Sequence, residues 1–213
     1  MPVPFKLPRF YPILDTATLE ARNCPVTSVA DALFDVGIRV LQYRHKDDWT
    51  QRHFDEAKKL AQKCQDLGVL FVLNDRADYA RLLRCALHIG QDDLPPLAAR
   101  SVISDEILGL STHNGRQLKF GDEAPVEYLS LGPVFSTQSK FRPDPVVGID
   151  AFCKLRELTA KPLVAIGGIT LTNAREVLDA KADSLAIISG ILPADTNPKA
   201  VRRRAEEWLT ALA

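Results

Sequence analysis

Two hydrophobic patterns alternate along this chain. Short unbroken apolar runs, such as Val69–Leu73 and the approach to Gly167 in Pro162–Thr170, give way to stretches where apolar residues return every three or four positions. An unbroken run suits a strand covered on both faces, as in a parallel sheet, and the second spacing suits a helix with one buried side. The runs predict strands at Phe10–Leu14, Val40–Tyr43, Val69–Leu73, Ala86–Ile89, Ile107–Leu110, Tyr128–Leu131, the stretch ending at Ile166, and Ser184–Ile188. Helices are expected over Ser28–Val36, Asp78–Leu83 and Ile149–Leu158, in a short piece opened by Pro95 and Pro96, and up to Ala180. The clearest helix carries Phe54, Ala57, Leu60, Ala61, Cys64 and Leu67, and a last one carries Val201, Ala205, Trp208 and Leu209. Gly37 and Gly68 stand where a helix commonly ends.

Eight strands, each followed by a helix or helical fragment, imply parallel strands joined by right-handed crossovers. Eight such units predict an α/β fold, a single-domain (β/α)8 TIM barrel over residues 1–213, with residues 1–9 as a flexible arm. An open doubly wound sheet is the runner-up, but no Gly-x-Gly-x-x-Gly follows the first strand, where a dinucleotide fold carries it. The loop from Gly132 to Gly148 is long for a structureless connection and is a candidate binding loop or lid.

Composition narrows the picture. The 213 residues fall somewhat short of the about 250 typical of such a barrel. Lys plus Arg (27) balance Asp plus Glu (27), which excludes a global field for nucleic acid or anionic membrane. No apolar stretch approaches the roughly 20 residues of a membrane span. The opening Met-Pro-Val-Pro-Phe-Lys-Leu-Pro has no apolar core of a signal peptide, so a cytoplasmic location is expected. Cys24, Cys64, Cys85 and Cys153 are scattered without a Cys-x-x-Cys pair and read as reduced thiols that bind no metal.

In a parallel barrel the strand ends share one rim, where active sites lie. Those ends collect Arg44 and Lys46, then Asn74 and Asp75, then Asp92 and Asp93, then Ser111 and His113. Thr137, Ser139 and Lys140 follow from the long loop, then Gly167-Gly168 and Ser189. Arginine forks and lysine point charges suit phosphate oxygens. Gly and Ser at the last two strand ends suit a phosphate, although tight packing of helix on strand also favours glycine. Paired carboxylates would repel a diphosphate unless Mg²⁺ bridged them, and Asp75 and Asp93 are chosen for that role. The structural alternatives are helix capping before Pro95 for Asp92-Asp93 and a loop turn for Asp75. Among the histidines, His53 reads as a surface residue, His45 points away from Arg44, His88 lies inside strand four, and His113 is the best acid–base candidate.

The rim resembles that of the family holding the thiamine-phosphate synthases and thiazole tautomerases. The matching stretches are Gln42-Tyr43-Arg44-His45-Lys46, Asn74-Asp75-Arg76, His88-Ile89-Gly90-Gln91-Asp92-Asp93-Leu94-Pro95 and Gly109-Leu110-Ser111-Thr112-His113. Leu131 to Lys140, Ala165-Ile166-Gly167-Gly168-Ile169 and Ala186-Ile187-Ile188-Ser189 continue them. The resemblance implies a synthase that joins a hydroxymethylpyrimidine diphosphate to a thiazole phosphate and releases pyrophosphate. It would place Gln42 on the pyrimidine, Arg44, Lys46, Asn74 and Lys140 on the diphosphate, and Ser111 in the lining of the pyrimidine diphosphate pocket. Asp75 and Asp93 would hold Mg²⁺, and Thr137, Ser139, Gly168, Ile188 and Ser189 would receive the thiazole phosphate.

The implied chemistry is dissociative: pyrophosphate leaves, and the thiazole nitrogen captures the pyrimidine-methyl cation. Arg44, Lys46, Lys140 and Ser111 carry it by stabilising charge and holding the rings in line. Small molecules are thus the expected partners, with a homo-oligomer left open. Departures are Ser139 in place of a usual Thr, Arg84-Cys85-Ala86 in place of Ala-Asp-Gly, Ser184 in place of Gly, and the lid sequence Phe141–Pro145. The competing functions are a tautomerase using His113 and a paralogue that binds precursors without catalysis.

Overall fold

The computed structural model describes residues 6–137 and 144–213. Eight parallel strands close into a barrel in chain order. They are β1 (Phe10–Asp15), β2 (Val40–Arg44), β3 (Leu70–Asn74), β4 (Ala86–Ile89), β5 (Leu108–Thr112), β6 (Tyr128–Leu131), β7 (Leu163–Ile166) and β8 (Ser184–Ile187). The helices are α1 (Thr16–Ala21), α2 (Val26–Asp35), α3 (Gln51–Leu67), α4 (Ala77–Leu83), α5 (Pro96–Ile103), α6 (Gly115–Glu123), α7 (Ile149–Arg156), α8 (Ala174–Asp179) and α9 (Pro198–Ala211). Several connections are one or two turns long, which lets a short chain complete eight units.

Alternate strand residues serve two cores. Tyr11, Ile13, Val40, Val72, Ala86, Tyr128, Val164 and Ala186 fill the barrel interior. Their neighbours, among them Leu14, Leu41, Leu73, Leu87, Leu129 and Leu185, pack outward with the helices. Both faces are therefore apolar, which is why the strands read as unbroken runs. Helix α3 shows the complementary pattern: it buries Ala57, Leu60 and Cys64 and ends at Gly68 with φ +66°.

Two helices lie outside the periodic stretches. Helix α1 starts because Asp15 at the end of β1 accepts from the Thr18 N–H at 2.9 Å and its hydroxyl at 2.6 Å. Asn114 caps α6 by accepting from the Gln117 N–H at 3.0 Å. Each is a polar cap on a segment too short for its apolar spacing to stand out.

The stretch read as a flexible arm needs correction over residues 6–9. Leu7 is buried at the barrel floor, and the carbonyl of Pro8 accepts from the Ser184 hydroxyl at 2.6 Å. The Arg9 guanidinium donates to the carbonyls of Leu212 and Ala213, at 3.1 and 2.9 Å. Near the site, Val134 and Phe135 donate backbone bonds to Ile166 and Gly167, and Val147 and Gly148 donate to Pro133 and Val134. Both described ends of the long loop are thus pinned beside β7. Among the described residues no helix is long and apolar enough to cross a membrane.

Candidate active site

A cavity of about 310 Å³ opens at the C-terminal ends of the strands. It is lined by Gln42, Arg44, Asn74, Ser111, Thr137, Gly168, Ile188 and Ser189, eight of the residues the sequence singled out. Strand direction brings them together, because each follows or ends an apolar run on the same rim.

Arg44 is held in place rather than loose. It pairs with the buried carboxylate of Asp15, which is itself fixed by the cap of α1. A guanidinium has five donors, so an ion pair on one side orients the rest. Asn74 differs. Its side chain is buried, and its Nδ2 has no hydrogen-bond partner among the described residues. An unpaired buried donor is costly, and on a cavity wall it suits a ligand acceptor.

Lys46, Asp75 and Asp93 form a cluster beside the cavity rather than on its lining. Lys46 Nζ lies 2.5 Å from Asp75 Oδ2. Asp75 sits at φ +67°, and its carboxyl is pushed up to about 6 by burial first and then by its hydrogen bond with Asp93, despite Lys46. For Asp93 burial also raises the value, but the bond with Asp75, the Gly90 N–H and the Lys46 charge outweigh it, and it ends below the usual carboxylate range. The two carboxyls are thus coupled, and of the pair Asp75 holds a proton the more readily. Asp93 does not cap α5; its Oδ2 accepts from Gly90 N at 2.7 Å. Among the described residues no group of three or more His, Cys, Asp or Glu could hold a metal, so a cation here would need ligand oxygens as well. Oxygen-only donors in this arrangement suit a hard ion such as Mg²⁺.

On another side of the mouth, Gly167 (φ +99°) and Gly168 (φ +65°) end β7. A Cβ on Gly167 would stand 2.5 Å from Pro133 Cβ, and one on Gly168 would stand 2.5 Å from the Ser136 carbonyl oxygen. The glycines are therefore required by backbone conformation and by the loop packed on them, and their backbone still faces the cavity. Asn173 secures the turn, accepting from Thr170 N at 2.7 Å and donating to the Gly168 carbonyl at 3.1 Å.

Comparison with known proteins bears on what this rim does. Residues 10–191 match the family model described as thiamine monophosphate synthase. The chain is 44% identical over 211 residues to a thiamine-phosphate synthase of Koribacter versatilis, across 97% of each chain. It is 34% identical over 196 residues to that of Chloroflexus aurantiacus, across 92% of this chain and 90% of the relative. A solved structure of thiamine phosphate pyrophosphorylase from Pyrococcus furiosus is similar, with a TM-score of 0.80 at 29% identity, over 96% of this chain and 97% of that one. The chain belongs to the thiamine monophosphate synthase family.

The span matched to the synthase family runs from β1 to Ile191, the end of a short 3-10 turn at Ser189–Ile191, so it contains all eight strand ends. Ser139 and Lys140 lie outside the described residues. His113 lines the cavity with Nδ1 2.6 Å from the Gly132 carbonyl and Nε2 3.5 Å from Asp144. His53, read as a surface residue, is half-buried, with its ring tilted against that of His45 at a centroid distance of 3.7 Å. His45 keeps the opposite face from Arg44, with Nδ1 2.7 Å from the Thr16 hydroxyl.

Sequence reasoning missed Asp15, Tyr11 and Tyr128. Asp15 had a signal, a carboxylate at a strand end on the same rim. The tyrosines had only their alternation with outward residues in β1 and β6, which marks a face and not a partner.

Proposed function

We infer that this chain is a transferase that makes thiamine phosphate, joining 4-amino-2-methyl-5-(diphosphooxymethyl)pyrimidine to a thiazole phosphate with release of pyrophosphate. The observation that carries the reading is Asn74, a residue of the cavity lining whose amide nitrogen is buried and unpartnered among the described residues, on the same cavity as the oriented Arg44. Together they form an anion site that a tautomerase, with no diphosphate to neutralise, would not need.

Arg44, Asn74 and Lys46 receive the diphosphate, and their donors meet the charge that grows on the leaving oxygens. Donors fixed in advance cost no reorganisation as the bond breaks, which is where such sites gain their rate. Gln42 and Ser111 hold the pyrimidine. Gly168, Ile188 and Ser189 hold the thiazole phosphate through backbone N–H and hydroxyl groups, with Thr137 beside them. Two phosphate sites on one cavity would hold the two rings in line, so that the thiazole nitrogen captures the cation as it forms. Asp75 and Asp93 would hold Mg²⁺, which when bound supplies positive charge to the diphosphate. Lys140 and Ser139 lie outside the described residues; the family resemblance assigns Lys140 to the diphosphate and Ser139 to the thiazole phosphate. The partners are small molecules, and the enzyme works in the cytoplasm.

Purified protein given both substrates and Mg²⁺ should form thiamine phosphate and pyrophosphate in equal amounts. Binding of the pyrimidine diphosphate, titrated with and without Mg²⁺, should show coupling that Asp75→Asn and Asp93→Asn each largely remove, while thiazole phosphate binding holds. Equal coupling in all three proteins would falsify the metal assignment.

A further inference from the structure

A line of buried polar side chains crosses the barrel interior beneath the cavity. Gln42 Nε2 donates to the Tyr11 hydroxyl at 3.0 Å, and the Tyr11 and Tyr128 hydroxyls are 2.9 Å apart. The Tyr128 hydroxyl lies 3.0 Å from His88 Nδ1, and His88 Nε2 lies 2.8 Å from Ser111 Oγ. Ser130 Oγ donates to Ser111 Oγ at 3.3 Å. Strands β1, β2, β4, β5 and β6 each contribute, so the chain exists only in the closed barrel. Gly109 makes room for it, because a Cβ there would stand 2.1 Å from Tyr128 Cζ. Burial pushes both tyrosine hydroxyls up, and they stay neutral.

Such a line has a direction, since each hydroxyl owns one proton and a neutral imidazole donates from one nitrogen only. The amide nitrogen of Gln42 can only donate, so Tyr11 accepts from it. If Tyr128 also donated to Tyr11, the Tyr11 proton would be buried without an acceptor among the hydrogen bonds of the described residues. That arrangement is unfavourable. The order is then Gln42 to Tyr11 to Tyr128 to His88 Nδ1, which leaves the imidazole proton on Nε2, donating to Ser111. Ser111 Oγ receives bonds from His88 and Ser130, and its own proton turns to the cavity. At the other end Gln42, with one amide proton committed to Tyr11, keeps its carbonyl oxygen for a ligand in the cavity it lines.

We propose that Tyr11 and Tyr128 are positioning residues that set the polarity of the cavity floor, fixing an acceptor at Gln42 and a donor at Ser111. That pair is complementary to a ring carrying an exocyclic amine and a ring nitrogen, as an aminopyrimidine does. The choice of ligand rests on the synthase reading above; the direction of the chain does not.

Nitrogen-15 NMR of ligand-free enzyme tests the direction alone. Wild type should show His88 as a single tautomer with its proton on Nε2, and Tyr128→Phe, which keeps the ring but removes the donor, should shift the proton to Nδ1 or to a mixture. Tyr11→Phe is the control one step earlier: the Tyr128 hydroxyl can still donate to His88, so the proton should stay on Nε2, and the wild-type tautomer alone tests the direction if Tyr128→Phe fails to fold. In kinetics, Tyr128→Phe should raise KM for the pyrimidine diphosphate about 5–50-fold, the scale of one buried hydrogen bond, and leave KM for the thiazole phosphate unchanged. A wild-type proton on Nδ1, or a tautomer unmoved in Tyr128→Phe, overturns the proposal. So does a rise in both KM values together. Wild type with His88 on Nε2 but without synthase activity overturns the aminopyrimidine assignment through the function and not through the chain.

Discussion

Asn74 ends β3 with its Nδ2 buried and without a hydrogen-bond partner, at a cost of about 1–3 kcal/mol. Asn74→Ala removes that cost. Its midpoint of thermal unfolding should stay level or rise, while the dissociation constant for the pyrimidine diphosphate should increase by about tenfold or more. Calorimetry and a binding titration on one preparation read both, and a less stable variant of unchanged affinity would give Nδ2 a structural role instead. The cysteines make a second residue-scale prediction. Burial pushes the thiols of Cys64 and Cys85 up to about 12, and Cys24 is buried as well. Only Cys153 is partly accessible. Near pH 8 the folded protein should therefore release about one equivalent of chromophore from an aromatic disulfide reagent, and about four after denaturation. Rapid reaction of several thiols in the native state would contradict the buried placement.

The turn from β7 into α8 shows how an element can be readable in type and misjudged in cause. Two glycines after an apolar run suggest backbone opened toward a phosphate. The structure adds positive φ at both, and a loop whose atoms occupy the space where a Cβ would go. Gly168→Ala should thus act on structure before it acts on binding. Strain at φ +65° together with the contact to the Ser136 carbonyl is expected to cost about 1–3 kcal/mol. It should also displace the loop and weaken thiazole phosphate binding. Denaturant midpoints and phosphate titration measure the two effects, and full stability with lost binding would restore the simpler account. Helix α1 teaches the opposite lesson. It is too short to show a period, and it exists because Asp15 caps it while holding Arg44.

Across the whole molecule, α9 ties the ends of the chain to the site. Trp208 is buried, stacks on Phe10 of β1 with ring planes 9° apart, and donates from Nε1 to the Gly190 carbonyl at 2.9 Å. Gly190 follows Ser189 in the turn proposed to receive the thiazole phosphate. Trp208→Phe keeps much of the packing but leaves that carbonyl unpaired, so stability should fall by about 1–3 kcal/mol. Thiazole phosphate affinity should drop more than that for the pyrimidine diphosphate, which binds at other strands. Equal loss at both sites would mean that α9 supports the barrel without favouring the turn.

The alternation of strand and helix was written in the sequence, because burial on both faces forces apolar runs and burial on one side forces a helical spacing. The rim followed from it: in a parallel sheet the residue after each run must lie at the same end, and Arg44, Asn74, Asp75, Asp93, Ser111 and Ser189 could be read off in order. Partnership could not. That Arg44 takes Asp15, that Lys46 takes Asp75, that Asp75 meets Asp93, and that Tyr11 meets Tyr128 depend on which strands neighbour one another and in what register. Pairings such as Ile13 with Gln42 and Asn74 with His88 are made only when the barrel closes. Local spacing specifies the face on which a side chain lies; the group it meets there is chosen by contacts between residues far apart in the chain.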